Sequence, residues 1–237
     1  MLKDVPDSSA DPGGIGASEI RSWSGPSVSV DPRQILRVHR YSDPDAVRPA
    51  IREAAERVAG QVAELAAPVA AYRRVPIEQC AGGTLQLAGD VSFRCEAFDR
   101  LMHDCSQVVA FVLTLGPEVD DKVVGLMDAF EPLDALFVEA AGWLSIELTT
   151  RMFAASLRHD LDGEGLALAS RMGPGYSYRK ERGGAERVEW PLDEQIELFK
   201  LFGGAALPVT LLESCAMQPK MSRSGVFGVA SAENRAS

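Results

Sequence analysis

Apolar residues recur at helical spacing along several stretches of the chain. Between Asp43 and Pro68 they lie three or four residues apart with charged residues between them, at Val47, Ile51, Ala54, Val58, Val62 and Leu65. This period predicts an amphipathic helix laid on a core, with Asp43 as its N-cap and Pro44 at the first helical position. Two further helices are predicted, from about Pro117 to Phe130 and from Pro132 to about Arg158.

The longer of these two helices carries an apolar stripe through Leu133, Phe137, Ala140, Leu144 and Leu148. The small residues of Ala140-Ala-Gly142 allow a neighbouring element to approach this helix closely. Glu147 lies one residue from the stripe. A polar turn is expected after the helix, from Asp160 to Glu164.

Other segments show shorter patterns. Val69 to Glu78 and Gly83 to Gly89 resemble strands, and the continuous apolar run from Val108 to Leu115 is typical of a buried central strand. A short helical turn is expected over Asp31 to Tyr41, and a helix over Phe93 to Cys105. Because strands and helices do not alternate regularly, we predict a single α+β domain over residues 30–230, with a mainly antiparallel sheet flanked by helices.

The two ends of the chain are predicted to lie outside this domain. Residues 1–29 are rich in Gly, Ser, Pro and Asp, so they bury too little apolar surface to offset the entropy of ordering and are expected to form a disordered tail. Residues 231–237 are expected to form a short C-terminal tail. The opening residues do not have the pattern of a signal peptide and no run is long enough to span a membrane, so the cytoplasm is the expected location.

Charge and composition narrow the classes of partner. The 237 residues carry a formal net charge of -10. Phosphate backbones and anionic lipids favour clustered Lys and Arg, so we expect small molecules or proteins as partners rather than nucleic acid or membrane. The four cysteines and three histidines lack the spacing of a zinc or iron–sulfur site, and no metal site is predicted.

One turn combines unusual backbone with chemically useful side chains. In Arg171-Met-Gly-Pro-Gly-Tyr176, two glycines around a proline fix an irregular path that lets a ligand approach the backbone. An arginine and a tyrosine bracket it. This combination indicates a recognition turn.

The turn is the first of three linked motifs that carry a family resemblance. The others are Trp190-Pro-Leu-x-Glu-Gln195 on a predicted helix and Leu211-x-Glu-Ser-x-x-Met-x-Pro219, followed by Ser224-Gly225. In this order they resemble the activation domain of cobalamin-dependent methionine synthase, and more narrowly its free-standing versions, which lack the catalytic and corrinoid-binding modules. The resemblance is sharp from about Ala169 onward and looser back to about Val30. It implies the same kind of α+β fold.

The resemblance also implies a ligand and a site. S-adenosylmethionine presents a carboxylate, an ammonium, a sulfonium and an adenosine, which call for a planar cation, a carboxylate, backbone polar groups and an aromatic or apolar wall. Family members bind this ligand through the arginine and tyrosine of the turn and a glutamate on the preceding long helix. Carried over by motif, the site residues are Arg171, Gly173, Pro174, Gly175, Tyr176 and Glu147. Asp31 and Glu164 are looser candidates for two further acidic ligand contacts of the family.

Each of these residues has a simpler interpretation. Arg171 could cap a helix or pair with a surface carboxylate, Tyr176 could be an ordinary half-buried aromatic, and Glu147 a solvated charge. Glu213-Ser214 beside Cys215 resembles a nucleophile, but no histidine or nucleophile elbow accompanies it. We therefore assign no catalytic residue and expect this segment to shape the pocket.

The function implied by the resemblance is repair of a corrinoid cofactor. An activation domain binds S-adenosylmethionine and traps each cob(I)alamin formed as methylcobalamin, so that methyl transfer draws the unfavourable reduction of cob(II)alamin forward. The cobalamin would be carried by a partner, either a corrinoid-binding protein or subunits of a split methionine synthase. A flavodoxin-like protein would supply electrons. Two alternatives remain open: reactivation of a corrinoid protein in another methyl-transfer or demethylation pathway, and a non-catalytic S-adenosylmethionine-binding or scaffold module.

A basic segment departs from the family pattern. Between Tyr176 and Trp190 the chain inserts Arg179, Lys180, Arg182 and Arg187 into an otherwise acidic protein. We hypothesise that this segment steers an acidic partner. The alternative is a solvated, flexible loop.

Overall fold

The computed structural model describes residues 19–233. Its helices are α1 Pro32–Val38, α2 Pro49–Leu65, α3 Phe98–Leu101, α4 Glu118–Asp128, α5 Pro132–Asp162 and α6 Gln195–Lys200, with a 3-10 turn at Leu192–Glu194. Its strands are β1 Arg21–Ser24, β2 Val69–Ala81, β3 Thr84–Leu87, β4 Val91–Arg94, β5 Cys105–Thr114, β6 Leu166–Met172, β7 Ser177–Arg179, β8 Arg187–Glu189, β9 Thr210–Leu211, β10 Met217–Gln218 and β11 Ser222–Ser231.

Strand β5 lies inside the main sheet, as its apolar run predicts. Across residues 19–233 the strand order is β4-β3-β2-β5-β11-β6, and β1 pairs with the first part of β2. All of these neighbours are antiparallel. Helices cover the sheet, so the predicted α+β class with a mainly antiparallel sheet is confirmed. β7 with β8 and β9 with β10 form two small separate hairpins.

The two faces of the main sheet bury separate cores, because side chains alternate along each strand. Those in the core beneath α1, α2, α4 and α5 include Val109, Phe111 and Leu113 of β5. Those in the core shared with α3 and α6 include Val108, Ala110 and Val112 of the same strand. Strand β5 therefore contributes to both cores.

Helix α5 begins at Pro132 as predicted but continues to Asp162, beyond the predicted end at Arg158 and into the segment expected to be a turn. Most of its predicted stripe packs on the core, although Leu133 is 42% exposed. At Gly142 a Cβ would come within 2.8 Å of the sulfur of Met221. The glycine therefore permits the close approach expected from Ala140-Ala-Gly142.

The helix predicted over Phe93 to Cys105 is wrong for most of its length. Residues Val91–Arg94 form β4, α3 spans Phe98–Leu101, and β5 begins at Cys105. The apolar residues here have helical spacing, but pairing of Phe93 with Leu85 places its ring 5.1 Å from that of Trp190. Burial in this aromatic contact outweighs the local periodicity.

The predicted start of the second helix is also wrong. Asp43 accepts a hydrogen bond from the backbone N–H of Asp45 within a turn, and α2 begins at Pro49. A helix running on from Pro44 would place Pro49 in its interior, where it removes a backbone donor and clashes with the preceding turn. Pro49 instead occupies the first turn of α2, where that donor is not needed.

The predicted tails fall partly outside the described residues, which exclude 1–18 and 234–237. Within the segment expected to be disordered, residues Arg21–Ser24 form β1 and pair with Val69 to Tyr72 of β2, so that expectation is wrong for this strand. Trp23 packs against Phe153 with ring centroids 5.4 Å apart. This contact supplies the apolar burial that the composition of the segment did not suggest.

No helix within residues 19–233 is long and apolar enough to cross a membrane. The same residues contain no group of three or more His, Cys, Asp or Glu placed to hold a metal ion.

Candidate functional site

The turn from Gly173 to Tyr176 leaves the end of β6 in close backbone contact with β11. A Cβ on Gly173 would come within 2.8 Å of the carbonyl oxygen of Ser224, and one on Gly225 would overlap the carbonyl oxygen of Met172. Gly175 has a φ of +80°, in the left-handed region that favours glycine. Glycine at these positions therefore allows the path of the turn.

Hydrogen bonds hold the turn from its other side. The hydroxyl of Tyr178 accepts from the N–H of Gly173 at 2.7 Å and donates to the carbonyl of the same residue at 3.1 Å. The N–H of Gly175 donates to the carbonyl of Trp190 at 2.7 Å, and the N–H of Trp190 donates to Tyr176 at 3.0 Å. Burial raises the pKa of Tyr178 to about 12, so its hydroxyl stays protonated and can donate.

Charged side chains from three elements meet beside this turn. Arg223 of β11 donates from Nη1 to Oε2 of Glu147 on α5, and lies 3.4 Å from the hydroxyl of Thr150. Nη1 of Arg171 lies 3.8 Å from the same Glu147 oxygen, and Nε of Arg151 donates to Oε1 at 3.4 Å. One carboxylate is thus shared by three guanidinium groups.

The pKa values of Glu147 and Arg171 are shifted by burial and by the neighbouring charges. Partial burial alone would raise the pKa of Glu147, but the hydrogen bond and charge of Arg223, with the charges of Arg171 and Arg151, lower it below its ordinary value. Burial lowers the pKa of Arg171, and the charge of Arg223 lowers it further. Both groups remain ionised at neutral pH, so the cluster keeps an excess of positive charge.

A cavity of about 320 Å³ opens beside the turn, within the range of small-molecule sites. Its walls include Pro174, Gly175, Tyr176, Trp143, Gln195 and Arg223. Gln195 is buried and held at both ends, since its Nε2 donates to the carbonyl of Cys215 at 2.9 Å and its Oε1 accepts from Ser224 at 2.8 Å. The side chain of Gln195 is therefore held in place in the absence of a ligand.

A second cavity of about 510 Å³ lies between α1 and α5. Glu147 lines this cavity, together with Gln34, Arg37, Leu144, Leu148 and Arg151. Arg223 lines the first cavity, so the ion pair of Glu147 with Arg223 lies between the two. A ligand bound at this ion pair would have apolar and polar side chains of both cavities within reach.

Five of the six predicted site residues lie at the two cavities or at the ion pair, and Gly173 begins the turn that joins them. Pro174, Gly175 and Tyr176 line the first cavity, Glu147 lines the second, and Arg171 approaches Glu147 from β6. Tyr176 is 42% exposed, so it lies at the mouth of the site and does not belong to the core. Their assignment to ligand binding remains a prediction.

Sequence reasoning missed Arg223, Tyr178 and Trp143. Arg223 is a charged residue in a strand of small and apolar residues, and its side chain is only 8% exposed. A charge at such a position signals a buried partner or a site, and this signal was available in the sequence. Trp143, in contrast, joins the site only because α5 packs beside the turn.

The two looser candidates are engaged elsewhere. Asp31 caps α1, accepting from the N–H of Arg33 at 2.9 Å. Glu164 lies beyond the opposite end of β6 from Arg171 and pairs with Arg74 at 2.6 Å. The two ends of β6 are separated by the length of a seven-residue strand, roughly 20 Å. Glu164 therefore does not join the cluster around Glu147.

The segment that resembles a nucleophile forms the turn between β9 and β10. Cys215 is buried with a φ of +63°, and its N–H donates to Leu212 at 2.9 Å. Cys215 and Ala216 line the first cavity, whereas Glu213 and Ser214, which were expected to shape the pocket, are not among its lining residues.

The basic segment forms the β7–β8 hairpin. Nη1 of Arg179 donates to Gly184 at 2.9 Å, Nη2 of Arg187 donates to Ser177 at 2.6 Å, and Lys180 pairs with Glu96 at 2.5 Å. Three of the four predicted cations therefore also hold the hairpin and its contact with the domain. Arg182 is exposed at the hairpin tip.

Fold and site together define a class: an α+β domain with an antiparallel sheet, whose edge strand leads into a glycine-rich turn beside a cavity lined by Arg223. Comparison with protein-family models gives no match, and comparison with curated proteins gives none either. Comparison with solved structures does give a match.

The crystal structure of the MetH reactivation domain bound to AdoHcy superposes on this chain with a TM-score of 0.59. The alignment covers 89% of this chain and 78% of that chain at 16% sequence identity. This chain therefore has the fold of the MetH reactivation domain, which confirms the predicted activation-domain-like architecture. At this identity the likeness concerns the fold alone.

Proposed function

We propose that this chain binds S-adenosylmethionine and supports reductive methylation of cob(II)alamin on a separate corrinoid protein, as the reactivation component of a split cobalamin-dependent methionine synthase. One observation supports this above all. In a chain with the reactivation-domain fold, Tyr176 and Glu147 line cavities of a size suited to a small molecule, and Nη1 of Arg171 lies 3.8 Å from Oε2 of Glu147. The solved structure of that fold carries AdoHcy, the product that S-adenosylmethionine leaves after methyl transfer.

The side chains match the groups of the ligand. Arg171 offers a planar cation to the carboxylate, Glu147 a carboxylate to the ammonium, and the turn offers backbone polar groups at short range. Tyr176 provides an exposed aromatic face at the cavity mouth. These groups bind and orient the ligand, and none is required to act as an acid, base or nucleophile.

The partner would supply the reacting metal. An electron donor reduces the cob(II)alamin by one electron, and the methyl group then leaves the sulfonium for the reduced cobalt, with S-adenosylhomocysteine remaining on this chain. The contribution of this chain is to hold the sulfonium methyl at an opening that the corrinoid face can reach. Tyr176, which is 42% exposed at the mouth of the first cavity, is consistent with such an opening.

Calorimetric titration of S-adenosylmethionine tests the first step. We expect the wild type to bind, and Arg171→Ala to weaken binding by about 1.5 to 3 kcal/mol, roughly tenfold to a hundredfold, for a lost charge-assisted contact. Arg158→Ala is the matched control, since this arginine is exposed on α5, about 16 Å along the helix axis from Glu147.

The second step needs the corrinoid partner. With that protein and a reductant, we expect the cob(II)alamin spectrum to convert to methylcobalamin only when this chain and S-adenosylmethionine are both present. Binding without conversion would instead identify a ligand-binding or scaffold module. Absence of binding by the wild type, alone or with its partner, would refute the proposal.

A further inference from the structure

The charge of the cluster around Glu147 is not balanced. Arg223 and Arg171 both approach the same Glu147 oxygen, and their side chains are 8% and 32% exposed. Glu147, Arg171 and Arg223 together carry one net positive charge, to which the exposed Arg151 adds a second, in a chain whose overall charge is -10. Partly buried cations without a matching anion are costly, so this site favours an additional anionic group.

The hydrogen-bonding capacity of Arg223 is also unmet. A guanidinium group carries five N–H donors in a planar fork. Across residues 19–233, Nη1 engages Glu147 and Thr150, whereas Nε is buried without a partner and no hydrogen bond involves Nη2. A buried arginine serving only as the counter-ion of Glu147 would be expected to use more of this fork.

Arg223 is placed to meet a ligand. It lines the same cavity as Pro174, Gly175 and Tyr176, and its guanidinium carbon lies 6.0 Å from the centre of the Tyr176 ring. At this distance the ring attracts the cation weakly and helps to hold it at the cavity wall. The cation is therefore fixed by Glu147 on one side and the aromatic face on the other.

We propose that Arg223 is a specificity-determining residue, which forms with Arg171 a two-arginine clamp for the carboxylate group of the ligand. This inference rests on the proposed function and deepens it, since the carboxylate is that of the amino-acid part of S-adenosylmethionine. Glu147 holds the two guanidinium groups in place and leaves their remaining donors for the ligand. A ligand that lacks the carboxylate loses the clamp.

Two ligands that differ in one group provide the test. Decarboxylated S-adenosylmethionine keeps the adenosine, the sulfonium and the amine, and lacks only the carboxylate. We expect the wild type to bind S-adenosylmethionine at least about tenfold more tightly than the decarboxylated form, the effect of a charge-assisted contact. Arg223→Met, which keeps an unbranched side chain, should reduce this preference by at least about threefold, mainly through weaker binding of S-adenosylmethionine, and leave the part that Arg171 provides.

Matched variants separate recognition from structure. Arg223→Lys keeps the charge without the fork and should retain only part of the preference. Arg158→Met removes an exposed cation from the same helix at a distance from Glu147, so we expect a change below about twofold. If Arg223→Met does not fold, the double variant Arg223→Met/Glu147→Gln removes both ends of the ion pair and should show the same loss of preference.

The outcomes are distinct. If the wild type binds both ligands equally, or if Arg223→Met weakens both by the same factor or changes neither, the clamp is refuted while S-adenosylmethionine binding stands. If the wild type binds neither ligand, the proposed function and the clamp fail together. A preference that falls in Arg223→Met and is unchanged in Arg158→Met supports the clamp.

Discussion

The hydroxyl of Tyr178 forms two hydrogen bonds with a single residue, accepting one from the N–H of Gly173 and donating one to its carbonyl. Because Tyr178 lies in β7 of the β7–β8 hairpin and Gly173 opens the turn, this pair ties the hairpin to the candidate site. The geometry of the turn therefore depends on one side chain outside the motif that predicts it.

Tyr178→Phe removes both hydrogen bonds and keeps the ring. We expect the free energy of unfolding to fall by about 1 to 2 kcal/mol, because the polar groups of Gly173 lose a part-buried partner. S-adenosylmethionine affinity should fall as well, since the turn is less well held. Urea unfolding and calorimetric titration measure the two effects, and an unchanged affinity would show that the turn keeps its shape without Tyr178.

Gly173→Ala should damage the site more severely. The added Cβ would come within 2.8 Å of the Ser224 carbonyl oxygen, so β6 and β11 must separate or the turn must move, at a cost of about 1 to 3 kcal/mol. Gly60→Ala is the control, because a Cβ there meets no atom within 4 Å and Gly60 lies inside helix α2. The control should be neutral or stabilising by up to about 1 kcal/mol, measured by thermal unfolding.

The ion pair of Glu147 with Arg223 can be measured by a double-mutant cycle. Glu147→Gln leaves the buried arginine without its carboxylate and should destabilise the fold by about 1 to 3 kcal/mol, below the usual cost for a fully buried pair because Glu147 is 36% exposed. Adding Arg223→Met should recover part of this loss. Strictly additive effects in urea unfolding would indicate that the two side chains do not interact.

The pH dependence of the same variant has a defined sign. The folded-state pKa of Glu147 lies below its ordinary value of 4.5, so its ionised form stabilises the fold above that pH and the contribution is lost as pH falls through the folded-state pKa. The difference in unfolding free energy between wild type and Glu147→Gln should therefore shrink on acidification. Burial raises the pKa values of Asp120 and Glu194, which act in the opposite direction, and taking the difference cancels them.

Arg182 offers the sharpest test of the basic hairpin as a docking element. Arg182→Glu should slow association with an acidic corrinoid partner several-fold at low salt and leave S-adenosylmethionine affinity unchanged, since steering acts on encounter. Reversing Arg179 or Arg187 would also remove hydrogen bonds within the hairpin. Arg48→Glu, an exposed site at the start of α2, is the control, and equal rates for wild type and Arg182→Glu would refute the hypothesis.

The spacing of apolar residues predicted an element correctly where those residues are buried by the element's own packing face. The apolar run of β5 and the stripe of α5 predicted their elements, whereas Phe93 was misassigned because a ring from a distant segment, Trp190, provides its burial. The same distinction applies to the site. Gly173 to Tyr176 form one contiguous motif, but Arg223 reaches Arg171 only through the pairing of β11 with β6.

Strand β11 has a partner on each side, β5 and β6, whereas β7 and β8 pair with each other. Amide protons of β11 should therefore exchange with solvent only when the main sheet opens, and those of the hairpin through small local openings. The turn at the site is thus held between a slowly exchanging strand and a fast-exchanging hairpin. A ligand that closes on the turn should be visible as selective protection of the hairpin amides, even when the global stability scarcely changes.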